Sequence, residues 1–327
     1  VESVEEPELE AQAGVQVYLP YVAVIHTRDG KTLVHRINWK EGAQRVYERV
    51  GNFREEGMLD GLDFPVFCKV TVKKEIQKVE KNTEPLIGYF DHGEAVLEEG
   101  SRFYTAQEEM QEFLLQMDDD RMLYNFREAS GLDVKGAEPM TGWDAPECHL
   151  KGHTSGHYLS ALALCYKAGG NKTIKEKACY MIEELGKCQD AFEKIPGIRK
   201  GFLSGYPEDQ FDKLEEYTPY PEIWAPYYTL HKIFAGLLDC YEFVGIDQAL
   251  EIAVKLGEWV YRRLSGLPRE KRMKMWGMYI AGEYGGMNDV MARLYRITGK
   301  KEFLETAGYF VNEKLFLPME KGIDALE

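Results

Sequence analysis

Apolar residues recur with a period of two up to about Val72 and with helical spacing from Thr105 onward, and this one change of period divides the chain. In the first region Phe64, Val66, Cys68, Val70 and Val72 alternate with Pro65, Phe67, Lys69 and Thr71, as in a strand with one buried face. Residues 22–27 and Thr32–Trp39 flank Asp29-Gly30, a dipeptide suited to the left-handed dihedrals of a tight hairpin. Together with Gly51, Gly57 and Gly61 as punctuation, this predicts a small β-sandwich module of about five to seven strands over residues 13–80. The glutamate-rich residues 1–12 read as a solvated acidic tail. Residues 81–104 read as a linker with short strands at 87–90 and 95–97. The stretches 106–117, 119–129, 152–167, 173–191, 227–244, 247–264, 287–298 and 301–316 all carry apolar residues three and four apart, so residues 105–327 form an all-α domain. The fold class is multidomain β + α.

The helical region contains a repeat. Tyr166, Tyr241 and Tyr295 are each followed by a glycine four residues on (Gly170, Gly245, Gly299) and an alanine twelve residues on (Ala178, Ala253, Ala307). The tyrosine ends one helix, the glycine stops it with a left-handed cap, and the small alanine lets the returning helix pack closely. Helical hairpins in series build a solenoid or a closed α/α toroid.

Composition removes several functions. Asp and Glu number 55 against 40 Lys and Arg, a net charge of −15 with no basic cluster, which argues against nucleic acid and against an anionic membrane surface. No apolar run approaches the ~20 residues of a membrane span. The first residue is Val, so the chain is read as processed or excised, and the absence of a signal peptide carries no information. The six cysteines, Cys68, Cys148, Cys165, Cys179, Cys188 and Cys240, contain no CxxC and read as small buried hydrophobes rather than disulfides or a metal site.

Candidate chemistry gathers in three places. In residues 201–231, eight of 31 are aromatic, Tyr206 and Trp224 among them, and six are acidic (Glu208, Asp209, Asp212, Glu215, Glu216, Glu222). Aromatic faces stack on sugar rings and carboxylates bind hydroxyls or move protons. The alternative is an aromatic plug with solvated acids. His153 and His157 lie four apart on one helical face, a metal-pair spacing, but without the glutamate of the zincin motif; hydrogen-bonding histidines are the other reading. His231 is similarly ambiguous. Glu283 and Asn288, around Gly285-Gly286, face a ligand, or else Asn288 or Asp289 caps a helix.

The segments Gly142-Trp143-Asp144-Ala145-Pro146, Gly152-His153-Thr154-Ser155-Gly156-His157-Tyr158-Leu159-Ser160-Ala161, Gly201-Phe202-Leu203-Ser204-Gly205-Tyr206-Pro207, Trp224-Ala225-Pro226-Tyr227-Tyr228-Thr229-Leu230-His231-Lys232-Ile233 and Glu283-Tyr284-Gly285-Gly286-Met287-Asn288 resemble glycoside hydrolase family 127 and its relatives, the β-L-arabinofuranosidases, from about residue 86 to the end. The β region, by its order of turn signals, resembles bacterial immunoglobulin-like domains. These resemblances imply an immunoglobulin-like β-sandwich followed by an incomplete (α/α)6 toroid of helical hairpins. They imply an extracellular or cell-surface enzyme acting on plant-type glycans that bear L-arabinofuranose. Trp143, His153, His157, Tyr206, Trp224, His231, Glu283 and Asn288 become the substrate-binding candidates.

In that family a cysteine nucleophile held on zinc, further cysteines, a glutamate ligand and a glutamate acid/base carry the reaction, and the resemblance places them beyond residue 327. The expectation is therefore no catalytic residue, no metal and no cofactor in this chain, zinc in the intact family enzyme, and no release of arabinose by residues 1–327 alone. The open end of the array calls for self-association or docking of the missing C-terminal half. Two other readings stand beside this one. A sugar epimerase or polysaccharide lyase on the same toroid would use His157, His231 and tyrosines as acid/base groups. A non-catalytic glycan-binding protein would need only the aromatic segment.

Overall fold

The computed structural model describes residues 1–75, 93–278 and 283–320. The chain divides into two compact units, Val1–Ile87 with Glu313–Glu327, and Gly88–Asn312.

The first unit contains strands β1 (Ser3–Val4), β2 (Glu8–Gln12), β3 (Gln16–Tyr18), β4 (Val22–His26), β5 (Thr32–Trp39), β6 (Gln44–Val46), β7 (Gly51–Leu59) and β8 (Pro65–Lys73). Six of them form one sheet in the order β1-β4-β5-β7-β8-β2, while β3 and β6 pair separately. The β4–β5 hairpin turns at Gly30, whose φ is +79°. The period-two reading of β8 holds: Val66, Cys68, Val70 and Val72 are all buried and pack with Ile25, Ile37, Trp39 and Leu59.

Residues 1–12 are not a solvated tail. Strand β2 lies parallel to β8 with Glu8 opposite Lys69 and Gln12 opposite Lys73, and Ala11 enters the core. The glutamates are paired: Glu10 with Lys73, and Glu6 with Arg54 at 2.7 Å and Lys69 at 3.4 Å. Counted alone the run reads as repelled charge; bases on β7 and β8, some 45–65 residues later in sequence, neutralise it and let the apolar face add a strand. Of the two short strands expected in the linker, residues 95–97 have no strand, and residues 87–90 lie outside the described residues.

The second unit is helical: α1 (Arg102–Gln116), α2 (Asp119–Ser130), α3 (His153–Gly169), α4 (Lys172–Phe192), α5 (Asp209–Glu215), α6 (Pro226–Asp239), α7 (Asp247–Ser265), α8 (Arg269–Trp276), α9 (Gly286–Thr298) and α10 (Lys301–Tyr309). Helix α6 runs on into a π-helical turn, Cys240–Val244. A further helix, α11 (Glu313–Glu320), groups with the first unit. One helix was expected over residues 301–316. The chain instead leaves helical geometry at Phe310, whose ring is buried 5.1 Å from that of Tyr227 and 5.4 Å from that of Trp276, so inward anchoring there ends α10. Helix α8 was not expected; its sequence is mostly charged and has no apolar stripe.

The repeat has a physical basis. Gly170, Gly245 and Gly299 have φ of +68°, +78° and +70°, and each donates its amide to the carbonyl of the tyrosine four residues earlier, at 2.7, 3.1 and 2.7 Å. Ala178, Ala253 and Ala307 are buried on the returning helices. The three hairpins pack side by side in two layers, with α3 on α6 and α6 on α9 in one, and α4 on α7 and α7 on α10 in the other. The closest crossing is α3 on α6: a Cβ added to Gly156 would lie 2.3 Å from the Lys232 carbonyl carbon, so only glycine fits.

Candidate functional site

Helices α3, α6 and α9 are each the first arm of a hairpin and lie side by side in one layer, so their N-terminal turns gather at one end. The chemistry collects there. Helix α3 brings His153 and His157, and the two turns of α6 that follow Pro226 bring Tyr228, His231 and Lys232. The start of α9 brings Gly286, and a 3-10 turn, Gly142–Asp144, brings Trp143 and Asp144.

The rings form a continuous row. Centroids are 5.7 Å apart for Tyr220–Trp224, 6.3 Å for Trp224–Trp143, 6.3 Å for Trp143–His153, 6.1 Å for His153–Tyr228 and 6.1 Å for Tyr228–His231. His157 branches off at 6.2 Å from His153. Trp143 is 65% exposed, an unusual cost for so large an apolar ring unless a ligand covers it.

Asp144, 3% exposed, organises the entry to α3. One carboxylate oxygen accepts the Gly152 amide at 2.6 Å; the other accepts the Thr154 hydroxyl and lies 3.0 Å from Nδ1 of His153. Asn125 fixes the turn by donating to the Asp144 carbonyl at 2.8 Å.

Two of the histidines, His231 and His157, are pushed toward the neutral form. Burial, then the charges of Lys232 and His157, push His231 down to about 4. Its Nδ1 is buried and has no hydrogen-bond partner among the described residues. The ring occupies the space left by the missing side chain of Gly286, where an added Cβ would lie 2.3 Å from it. Burial, then Lys232 and His153, also lower His157. Burial and the charge of Glu283 raise the Tyr228 hydroxyl, whose ring carries the Lys232 ammonium 4.8 Å from its centroid.

Five of the eight sequence candidates come together: Trp143, His153, His157, Trp224 and His231. Glu283 flanks them, exposed, on the turn before α9. Tyr206 does not belong: it is 1% exposed and donates its hydroxyl to the Pro226 carbonyl at 3.0 Å, so it anchors α6 from within the core. Asn288 reaches away, donating to the Ala307 carbonyl at 2.9 Å, and it caps nothing, since the cap of α9 is Gly285. Asp144, Tyr228 and Lys232 were missed as site residues. Asp144 lies in the Gly142-Trp143-Asp144-Ala145-Pro146 motif, and Tyr228 and His231 stand three apart on one face of α6.

The acids of residues 201–231 are the larger correction. Glu208, 2% exposed, accepts Trp259 Nε1 at 2.7 Å and both the amide and guanidinium of Arg199 at 2.8 Å. Arg263 pairs with Asp212 at 2.6 Å and Glu215 at 2.5 Å. These three carboxylates are engaged by Arg263 and tie α5 to α7.

Among the described residues no group of three His, Cys, Asp or Glu side chains stands close enough to hold a metal ion. Cys188 and Cys240 are buried and their thiols are raised by that burial, Cys188 to about 11, whereas a zinc ligand must be a thiolate. The donor set of these residues does not fit the family's zinc.

The layer of helical hairpins thus carries a row of aromatic and imidazole rings at one end. Comparison with known proteins names the class: the family model for the β-L-arabinofuranosidase GH127 catalytic domain matches residues 96–327, and the chain belongs to that family. Among solved structures, the chain is similar to a GH127 β-L-arabinofuranosidase from Geobacillus stearothermophilus T6, with 15% identity over 68% of this chain and 34% of that one, at a TM-score of 0.46. It is also similar to another GH127 β-arabinofuranosidase (14% identity, 64% and 32% covered, TM-score 0.40) and to a polysaccharide lyase (11%, 94% and 47%, TM-score 0.31). The chain thus spans about a third of the length of the two GH127 structures. No curated protein matches it. No described helix is long and apolar enough to cross a membrane.

Proposed function

We propose that this chain provides the sugar-binding wall of a glycoside hydrolase of β-L-arabinofuranosidase type, acting on plant-type glycans with L-arabinofuranose. In this reading the three hairpins belong to an (α/α)6 toroid, and the β unit is an immunoglobulin-like module of an exported or cell-surface enzyme. On this reading the described residues bind and orient the sugar. The observation that carries the reading is the exposed Trp143 ring beside the imidazoles of His153 and His157. The apolar face of a furanose ring stacks on Trp143, and its hydroxyls meet His153, His157 and Tyr228, which bond hydroxyls without needing a charged ligand.

Calorimetric titration of residues 1–327 with methyl β-L-arabinofuranoside and with arabinofuranosyl oligosaccharides tests this. Saturable binding is expected, weakened about fivefold in Trp143→Ala, since ring stacking is worth ~1 kcal/mol. The exposed site leaves the stability of that variant within ~0.5 kcal/mol of the parent. No binding, or an equal response to a glucan oligosaccharide, overturns the reading.

A further inference from the structure

Two oxygens face one nitrogen of His153. Its Nδ1 lies 3.0 Å from the carbonyl oxygen of Leu150 and 3.0 Å from the carboxylate of Asp144. Both oxygens are acceptors only, so Nδ1 must carry the proton; a lone pair there would face two others. The Leu150 carbonyl is itself fixed by the Thr229 hydroxyl at 3.2 Å, and the Asp144 carboxylate by the Gly152 amide and the Thr154 hydroxyl. Neither oxygen is free to turn away. In its neutral form His153 is therefore locked as the Nδ1–H tautomer, with the lone pair on Nε2. His231, in the same row, has no such partner for its Nδ1 among the described residues.

We propose that Asp144 is a positioning residue for His153, holding it as the Nδ1–H tautomer so that Nε2 accepts a hydrogen bond from a ring hydroxyl of the sugar stacked on Trp143. This rests on the glycoside reading above. It adds a specificity: the subsite takes a sugar with a free hydroxyl there, and rejects one bearing a methyl ether or a carboxylate, which bring no proton to that lone pair. In Asp144→Asn the amide group cannot accept from Gly152, Thr154 and His153 together. Its N–H turns toward Nδ1 and competes there with the Leu150 carbonyl, which shifts the ring toward its Nε2–H form.

Long-range nitrogen–proton correlation spectra of the 15N-labelled chain near neutral pH read the tautomer directly, with His153 assigned by its loss in His153→Gln. The expected result is protonated Nδ1 and bare Nε2 in the parent chain, and a dominant Nε2–H form in Asp144→Asn. Affinity for methyl β-L-arabinofuranoside falls about tenfold or more in the same variant, the scale of one lost hydrogen bond in a site whose partner now presents the wrong group. An Nε2–H tautomer in the parent overturns the proposal without any variant. So does an unchanged tautomer in Asp144→Asn. Should that variant fail to fold, the parent's Nδ1–H proton decides: slow exchange with water supports the lock and fast exchange overturns it. If the tautomer is as stated but the parent binds no arabinofuranoside, the glycoside reading fails and the Asp144–His153 geometry stands apart from it.

Discussion

The two ends of the 201–231 stretch hold similar residues in opposite states. Around Glu208, Asp212 and Glu215 the charged and aromatic side chains are committed to one another: Arg263 meets all three carboxylates, and Trp259 donates to Glu208. Around Tyr228 and His231 the same mixture of rings and titratable groups is left uncommitted, with Nδ1 of His231 unpartnered among the described residues and Trp143 largely bare. Residue type does not separate a structural cluster from a binding face. What separates them is whether the polar atoms have found partners inside the protein.

The largest effect is expected on the committed side. Arg263→Ala takes the cation from the mostly buried Glu215 and from Asp212, while Glu208 keeps Arg199, and should cost about 3 kcal/mol in urea unfolding, because a buried carboxylate left without its partner is strongly penalised. A loss below ~1 kcal/mol would mean that the acids are solvated after all, and the contrast between the two ends would dissolve. On the other side, Gly286→Ala sets a methyl group 2.3–2.5 Å from the His231 ring. Crowding of this kind costs about 1–3 kcal/mol and should displace the His231 ring resonances while leaving those near Glu208 in place. The smallest effect is an acid slope. His231 has its folded value near 4 against an ordinary 6.5, so the unfolded chain takes the proton first as pH falls. Stability is therefore complete above about pH 6.5 and is lost progressively toward pH 4. Allowing for the partial exposure of the ring, the loss is on the order of 1 kcal/mol. His231→Gln should flatten that part of the pH–stability curve; an unaltered slope would show that the ring is solvated and not held neutral.

Much of the helical architecture was legible because its determinants are local. Glycine four residues after a tyrosine reads as a helix end from dihedral preference alone, and all three such glycines take the left-handed cap. The alternation from Val66 to Val72 fixed a buried face in the same way. At the site, the spacing of His153 and His157 and the richness in aromatics around Trp224 and His231 pointed to four residues, and the family resemblance added Trp143. Tyr206 and Asn288 misled, since nothing nearby in sequence says that one bonds the Pro226 carbonyl and the other the Ala307 carbonyl. The N-terminal glutamates misled for the same reason, their partners being on β7 and β8.

The sequence by itself determined that strands precede helices, where the hairpins turn, and which family the chain resembles. Those follow from periodicity, backbone dihedral preference and short ordered motifs, all carried by residues within a few positions of one another. Tertiary structure alone decided which polar groups are consumed and which remain. Glu208 is satisfied by a tryptophan 51 residues away, the His231 ring rests where Gly286 has no side chain, and Asp144 sets the proton on a histidine of the following helix. A hydrogen bond or an ion pair depends on distances of a few ångströms between groups brought together by packing, and no local pattern encodes that distance.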